Sequence, residues 1–267
     1  MIGFPNAKIN IGLNVVEKRL DGFHNLETIF YPVNIFDSLE LIEAKELRFY
    51  SYGLQIPGDG SDNLCVKAFQ LMKEKFGIPN LEIHLLKNIP FGAGLGGGSA
   101  DAAWVLKMIN EKFDLNLSVP DLEVFAATLG SDCPFFIQNS AQYASGRGEI
   151  LSPTNLDLHK YSFALIKPNF SISTKEAFSG LSPKASNQDL RELVKLPVES
   201  WRGVIKNDFE ESLFPKFPIL EKIKNDLYEK GAIYASMSGS GSTLFGIFSP
   251  ELKGSFEAYP DAQLFWV

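Results

Sequence analysis

The amino-acid sequence predicts an α+β fold in two domains, on three observations. First, alternating apolar runs and helix-period runs are mixed along the chain, without the strict strand–helix alternation of a parallel sheet. Second, the 267 residues are 45% hydrophobic and 21% charged, enough to build more than one core at this length. Third, composition shifts near Gly146-Arg-Gly-Glu-Ile-Leu-Ser-Pro153, which divides the chain into 1–153 and 154–267.

The elements follow in order. Ile9, Ile11, Leu13 and Val15 alternate with Asn10, Gly12 and Asn14, the period of a half-buried strand. Leu26 to Val33, Ser38 to Glu43 and Leu47 to Tyr52 also read as strands, ended by Gly53, Pro57, Gly58 and Gly60. Asp62 is placed to cap a helix from Asn63 to about Phe76, with Leu64, Ala68, Leu71 and Lys75 on one stripe. A strand over 81–87 leads into a glycine-rich loop, and a helix from Ala100 to Phe113 leads out of it. Ser118-Val-Pro-Asp121 has the form of a capping box opening a helix that stops at Gly130. Pro134 to Gln138 and Ala141 to Ala144 read as short strands. Beyond the composition shift, Tyr161 to Lys167 reads as a strand and the polar stretch Ser179 to Asp189 as a mobile connection. Helical patterns lie near 189–195, 199–212 and 217–230. Two strands, Ile233 to Met237 and Thr243 to Phe248, flank a second glycine cluster, Ser238-Gly-Ser-Gly-Ser242.

Composition excludes several functional classes. A net charge of −7 without a long basic block argues against nucleic acid as a partner. Cys65 and Cys133 are the only cysteines, too few for a disulfide framework, so a cytoplasmic location is expected. Met1-Ile-Gly-Phe-Pro-Asn6 has neither the basic start nor the apolar core of a signal peptide. No apolar run approaches a membrane span, and no membrane partner is expected.

The loop Pro90-Phe-Gly-Ala-Gly-Leu-Gly-Gly-Gly-Ser99 is the most telling segment. Glycines let backbone N–H groups approach a ligand closely. The helix start that follows has unpaired N–H groups and a partial positive charge. Together they make a cradle for phosphate oxygens. No lysine follows these glycines, which argues against a P-loop NTPase. Gly92-x-Gly94-x-x-Gly97 matches a dinucleotide fingerprint, but about 80 residues precede it and no acidic residue stands at the required distance.

Lys8, in Asn6-Ala-Lys-Ile-Asn10, points away from the core if Ile9 points into it. It is either a solvated edge lysine or a cation that stabilises a transferring phosphoryl group. Asp132, in Gly130-Ser-Asp-Cys-Pro-Phe-Phe136, is a cap, a metal ligand or a base. His24 ends the turn Asp21-Gly-Phe-His24 and is either a ligand-binding or a surface residue. No histidine pair has metal-ligand spacing and there is no CxxC, so no structural metal site is expected.

Taken together these motifs resemble the GHMP kinase superfamily over nearly the whole chain. The motifs are Asn6-Ala-Lys-Ile-Asn-Ile-Gly-Leu13, Arg19-Leu-Asp-Gly-Phe-His-Asn-Leu-Glu-Thr28, the loop Pro90 to Ala103, Gly130 to Phe136, Gly146 to Pro153, and Ser236 to Ser242. The resemblance implies two α+β domains with the active site in the interdomain cleft. Asp21-Gly-Phe-His24 matches the branch that uses ATP to phosphorylate the 2-hydroxyl of a methylerythritol carrying a cytidine diphosphate, in the non-mevalonate route to isoprenoids. The alternatives are another small-molecule GHMP kinase, acting on homoserine or mevalonate, or a nucleotide-binding regulator without turnover.

By position, the resemblance makes Lys8 and Asp132 the catalytic pair. It assigns Pro90, Gly92, Gly94, Leu95, Gly96, Gly97, Gly98 and Ser99 to the ATP phosphates, and Asn63 and Lys87 to the adenosine end. Asn10, His24 and Thr174 match substrate contacts, with Phe23 and Phe178 at the cytosine. ATP and Mg²⁺ are the implied cofactors, with the ion held mostly by ATP and water and Ser99 a candidate ligand. A monomer or weak homodimer is expected. Phe23 departs from the family's usual tyrosine, and stacking needs only the ring.

Overall fold

The structure is a computed structural model that describes residues 1–58, 60, 62–181, 183, 188–250, 259 and 261–267. In chain order the protein forms β1 (Ile2–Gly3), β2 (Asn6–Lys18), β3 (His24–Phe36), β4 (Ser38–Glu43), β5 (Arg48–Gly53), α1 (Leu64–Phe76), β6 (Leu81–Lys87), α2 (Gly97–Lys112), α3 (Val119–Leu129), α4 (Phe135–Gln138), β7 (Gln142–Ser145) and β8 (Ile150–Pro153). It continues with β9 (Ser162–Pro168), α5 (Thr174–Ser179), α6 (Leu190–Leu193), a 3-10 turn at Val198–Ser200, α7 (Asp208–Leu213), α8 (Pro218–Glu229), β10 (Tyr234–Met237), β11 (Leu244–Phe248) and β12 (Ala262–Trp266). Helices and strands are mixed as the α+β reading expected. No helix among the described residues is long and apolar enough to cross a membrane.

Two compact units interleave along the chain. The first comprises Met1–Lys8, Pro32–Phe91 and Gly96–Ser140; the second comprises Ile9–Tyr31, Gly92–Leu95 and Ala141–Val267. A single cut at 153 does not describe them. Leu13 and Val15 belong to the same apolar cluster as Ala164, Ile166 and Phe209, and β3 pairs with β7, so residues 9–31 group with the C-terminal length.

In the first unit a four-stranded sheet has the order β1-β4-β6-β5. Its β5–β6 pair is parallel and the others are antiparallel. Leu39, Leu41, Ile83 and Leu85 are fully buried, as strand alternation demands. α1 packs on α2, and α2 on β4. α1 is capped by Asn63, whose side chain accepts from the Cys65 N–H at 2.8 Å, rather than by Asp62, which pairs with Lys67 at 3.0 Å. Gly77 ends α1 in the left-handed region, with Lys73 and Lys75 in the last turn facing the negative pole. α3 carries the expected capping box between Ser118 and Asp121. The run Pro134 to Gln138 is not a strand: Phe135–Gln138 is a single helical turn, α4. Three apolar residues, Phe135 to Ile137, satisfy either period, and Pro134 at φ −58° already has the helical backbone.

In the second unit one sheet has the order β2-β3-β7-β8 and another β10-β11-β9-β12, the latter antiparallel throughout. α8 opens with Pro218 in its first turn and packs on β10 and β11. Its stripe of Leu220, Ile223 and Leu227 is buried, worth about 1.5–3 kcal/mol per side chain. The helix expected over 199–212 is reduced to α7, because the Asn207 side chain caps the Phe209 N–H at 3.0 Å and so starts the helix at Asp208. The connection expected over 179–189 falls partly outside the described residues.

Candidate active site

Lys8 lies on β2 with only 3% of its surface exposed. Its Nζ is 3.3 Å from Oδ2 of Asp132. Asp132 sits on the turn between α3 and α4, where the Cys133 N–H donates to the Gly130 carbonyl at 3.2 Å. The Asp132 side chain keeps 34% of its surface. A buried cation thus holds a carboxylate that a ligand can reach. Cys133, next in sequence, is buried and hydrogen-bonds with Ser99; burial pushes its thiol up to about 12, which leaves it unreactive.

The glycine loop adjoins this pair. Gly96 is the cap residue of α2 at φ +69°, and a Cβ there would stand 2.9 Å from the Phe136 ring and 3.0 Å from the Lys8 side chain. No side chain caps α2, and no acidic residue occupies its first turn. The helix therefore offers the N–H groups of Gly97, Gly98 and Ser99 and the positive end of its dipole without a built-in anion. These features fit a phosphate.

Lys87 and Asn63 both have side-chain partners within the protein. Lys87 is 3% exposed. Its ammonium is bonded to Asp37 and, at 2.9 Å, to Asp101. Asp37 also accepts from the N–H groups of Asn88 at 2.5 Å and Ile89 at 2.8 Å. Burial opposes the Lys87 charge, but Asp101 and Asp37 overcome it and raise its pKa. Burial and the neighbouring Asp37 push the Asp101 carboxyl up to about 8 against the pull of Lys87. Lys87 Nζ lies 2.8 Å from where a Cβ on Gly97 would stand. The cluster is thus a support beneath the first residue of α2. Asn63 spends its side-chain oxygen on capping α1.

The second unit backs the loop segment Gly92–Leu95. Gly94 has φ +75°, and a Cβ on it would overlap the Ser238 carbonyl oxygen. Ser238 Oγ donates to the Gly94 carbonyl at 2.8 Å and accepts from the Asn10 N–H at 3.2 Å. The Thr243 N–H donates to the Ala93 carbonyl at 3.3 Å. Asn10 Nδ2 donates to Thr28 Oγ1 at 3.0 Å, and Thr28 donates to the Gly12 carbonyl at 2.5 Å. Asn207 donates to the carbonyls of Met237 and Gly239 at 2.8 Å each. The two glycine clusters are therefore held back to back by named hydrogen bonds. Pro90 and Leu95 are buried, and Gly92 is exposed.

Also in the second unit, the His24 imidazole stacks on Phe178 with centroids 4.6 Å apart and planes 14° off parallel. Phe178 meets the buried Phe209 edge-on at 4.9 Å. Burial, then the charge of Lys18, lowers the His24 pKa, so the ring is neutral at neutral pH. Phe23 stands 54% exposed at the β2–β3 turn, with the Arg147 guanidinium 5.1 Å above it. Phe23 and Phe178 have different ring partners: Arg147 lies over Phe23, and His24 and Phe209 meet Phe178. Thr174 is exposed at the start of α5.

Two domain patterns span more than half of the chain: the GHMP kinases N terminal domain matches residues 63–140 and the GHMP kinases C terminal domain matches residues 181–258. This chain belongs to the GHMP kinase family. It is 51% identical over 257 residues to a Bacteroides fragilis protein named 4-diphosphocytidyl-2-C-methyl-D-erythritol kinase, covering 95% of this chain and 94% of that one. A Bacteroides thetaiotaomicron protein of the same name is 51% identical over 255 residues, covering 94% and 93%. Among solved structures, a 4-(cytidine 5'-diphospho)-2C-methyl-D-erythritol kinase superposes with a TM-score of 0.79 at 31% identity, covering 92% of this chain and 90% of that one. The polar residues that brace this GHMP kinase's loops, Asp37, Asp101, Thr28, Ser238 and Asn207, were not singled out from sequence. Thr28, Asp101 and Ser238 lie inside motifs quoted above, whereas Asp37 and Asn207 carry no motif signal.

Proposed function

We propose that this protein transfers the γ-phosphoryl group of ATP to the 2-hydroxyl of 4-diphosphocytidyl-2-C-methyl-D-erythritol. One observation carries the chemistry: a buried lysine 3.3 Å from a reachable aspartate, with the lysine side chain against the uncapped glycine start of α2. Asp132 takes or orients the proton of the substrate hydroxyl at its carboxylate. Lys8 holds that carboxylate in place through the 3.3 Å ion pair and stabilises negative charge on the oxygens in transfer. Gly94 to Ser99 hold the phosphates of ATP, which supplies the phosphoryl group. Mg²⁺ enters on those phosphates; no group of three or more His, Cys, Asp or Glu side chains forms a cation site among the described residues. Lys87 supports the loop from beneath Gly97.

The cytidine end is read by the second unit. Phe178 and His24 form one wall and Phe23 offers an exposed ring for stacking. Neutral His24 reads the base edge, and Asn10 and Thr174 contact the remainder of the substrate. The test is an ADP-release assay with three alcohols: the cytidylyl substrate, homoserine and mevalonate. Turnover with the first alone is expected. Turnover with homoserine or mevalonate at comparable efficiency overturns the assignment.

A further inference from the structure

Phe23 is outside the apolar core of its unit. It closes the β2–β3 turn, where the Arg19 N–H donates to its carbonyl at 2.8 Å. The guanidinium of Arg147 covers one face of its ring at 5.1 Å. Arg147 lies on the turn between β7 and β8, and the Leu26 N–H donates to the Gly146 carbonyl at 2.7 Å, which sets the two turns side by side. Glu149 aims Arg147. It accepts from the Arg147 backbone N–H at 2.6 Å, and from Nε at 3.5 Å, well beyond the 2.7–2.9 Å of a strong charge-assisted bond.

The two Nη groups of Arg147 have no hydrogen-bond partner among the described residues. The neighbouring Arg19 differs: its Nε and Nη2 bond Asp21 and its Nη1 bonds Asn25. In a chain of net charge −7, Arg147 is thus a fork of donors, 40% exposed in its side chain, held over an aromatic ring. An unanchored surface arginine loses rotamer freedom on binding. One already stacked on a ring and tethered by a carboxylate loses less.

We propose that Arg147 binds the diphosphate of the cytidylyl substrate, with Phe23 as the plate that holds its guanidinium in place. This rests on the reading of Phe23 as part of the cytosine pocket. A nucleoside diphosphate carries its phosphates one ribose from its base, so a cation beside the base plate meets them. The planar guanidinium matches two phosphate oxygens at once, which an ammonium does not.

The experiment measures competition by cytidine, CMP and CDP against the cytidylyl substrate in the intact enzyme, and in Arg147→Gln, Arg147→Lys and Phe23→Ala. Arg147→Gln is expected to weaken CDP by about 10- to 100-fold, the scale of a lost hydrogen bond to a charged group. Cytidine is expected to move by less than about twofold, with CMP between them. Arg147→Lys recovers part of the CDP affinity, and KM rises for the cytidylyl substrate but not for ATP. Equal losses for cytidine and CDP overturn the proposal, because Arg147 then acts only by bracing the ring. Unchanged CDP affinity overturns it as well. Phe23→Ala tests the underlying pocket separately: cytidine binding left intact there sinks the stacking reading, while the cytidine–CDP difference in Arg147→Gln still decides the phosphate contact.

Discussion

Replacing Gly94 with alanine tests the phosphate loop most directly. At φ +75° the backbone is left-handed, which costs a non-glycine residue roughly 1–2 kcal/mol. The added Cβ would also overlap the Ser238 carbonyl oxygen, 3.0 Å from its carbon and 3.2 Å from the Gly241 carbonyl oxygen. All three neighbours are backbone, so no side chain can swing aside. The loop must instead move by on the order of 1 Å, a misplacement that costs about 10²-fold where positioning is the work. Gly98→Ala is the control. It lies in α2, and its Cβ would meet nothing closer than Leu64 at 4.0 Å; alanine there gains roughly 0.5–1 kcal/mol of helix stability. The assay is ADP release with ATP varied, together with thermal denaturation of each variant. Gly94→Ala should lose about 100-fold in kcat/KM for ATP and melt lower, and Gly98→Ala should melt at or above the parent. A Gly94→Ala enzyme within about twofold of the parent in both measurements refutes the argument that this loop is held by contact with Ser238.

Other expectations concern single groups. Asp132→Asn should lower kcat by about 10²-fold or more, the scale of a lost general base, with ATP binding by titration nearly unchanged; Lys8→Met should act on kcat as well, and an effect confined to the ATP KM would make it a binding residue. Asp101, pushed up to about 8, keeps a proton in the folded state that the unfolded chain releases near pH 4. Its contribution therefore favours folding at low pH and is lost as pH rises from about 4 to 8. Urea midpoints between pH 5 and 8 should fall less steeply in Asp101→Asn than in the parent, and parallel slopes would rule this out. Phe178→Ala should weaken the cytidylyl substrate by about 10- to 100-fold and cost about 2 kcal/mol of stability, a share of the full core value because the ring is half-buried. Equal weakening of ATP would show that the ring serves packing alone.

The elements that could be read from sequence were those with long, regular signals. The apolar alternation of β2 and the periodic stripe of α8 each repeat a local rule several times, and the capping box of α3 is a specific local signal; the half-buried reading of β2 fails, because Asn6 to Leu13 are all buried. α4 differs from the expected strand because its three apolar residues, Phe135 to Ile137, are too few to separate period 2 from period 3.6. Asp62 and Asn63 are equally good caps on paper, and the choice fell to the residue whose oxygen reaches the Cys65 N–H. At the site, Lys8, Asp132 and Gly96 carried motif signals and lie together in space. The role of Lys87 was not legible, because its partners Asp37 and Asp101 stand 50 and 14 residues away, and no local pattern links them.

The hydroxyl of Ser238, bonded to both Asn10 and Gly94, sets an order on events during synthesis. A ribosome adds roughly 5–20 residues per second, so the remaining stretch of about 150 residues from Gly94 to Thr243 takes on the order of 10 s or more. Throughout that time the emerging chain has its phosphate loop but neither the Ser238 hydroxyl nor the Thr243 N–H that fixes it. A nascent chain therefore lacks the bonds that fix its phosphate loop until residues 238–243 are made. Nucleotide held by this loop then stabilises only a chain that has reached Thr243.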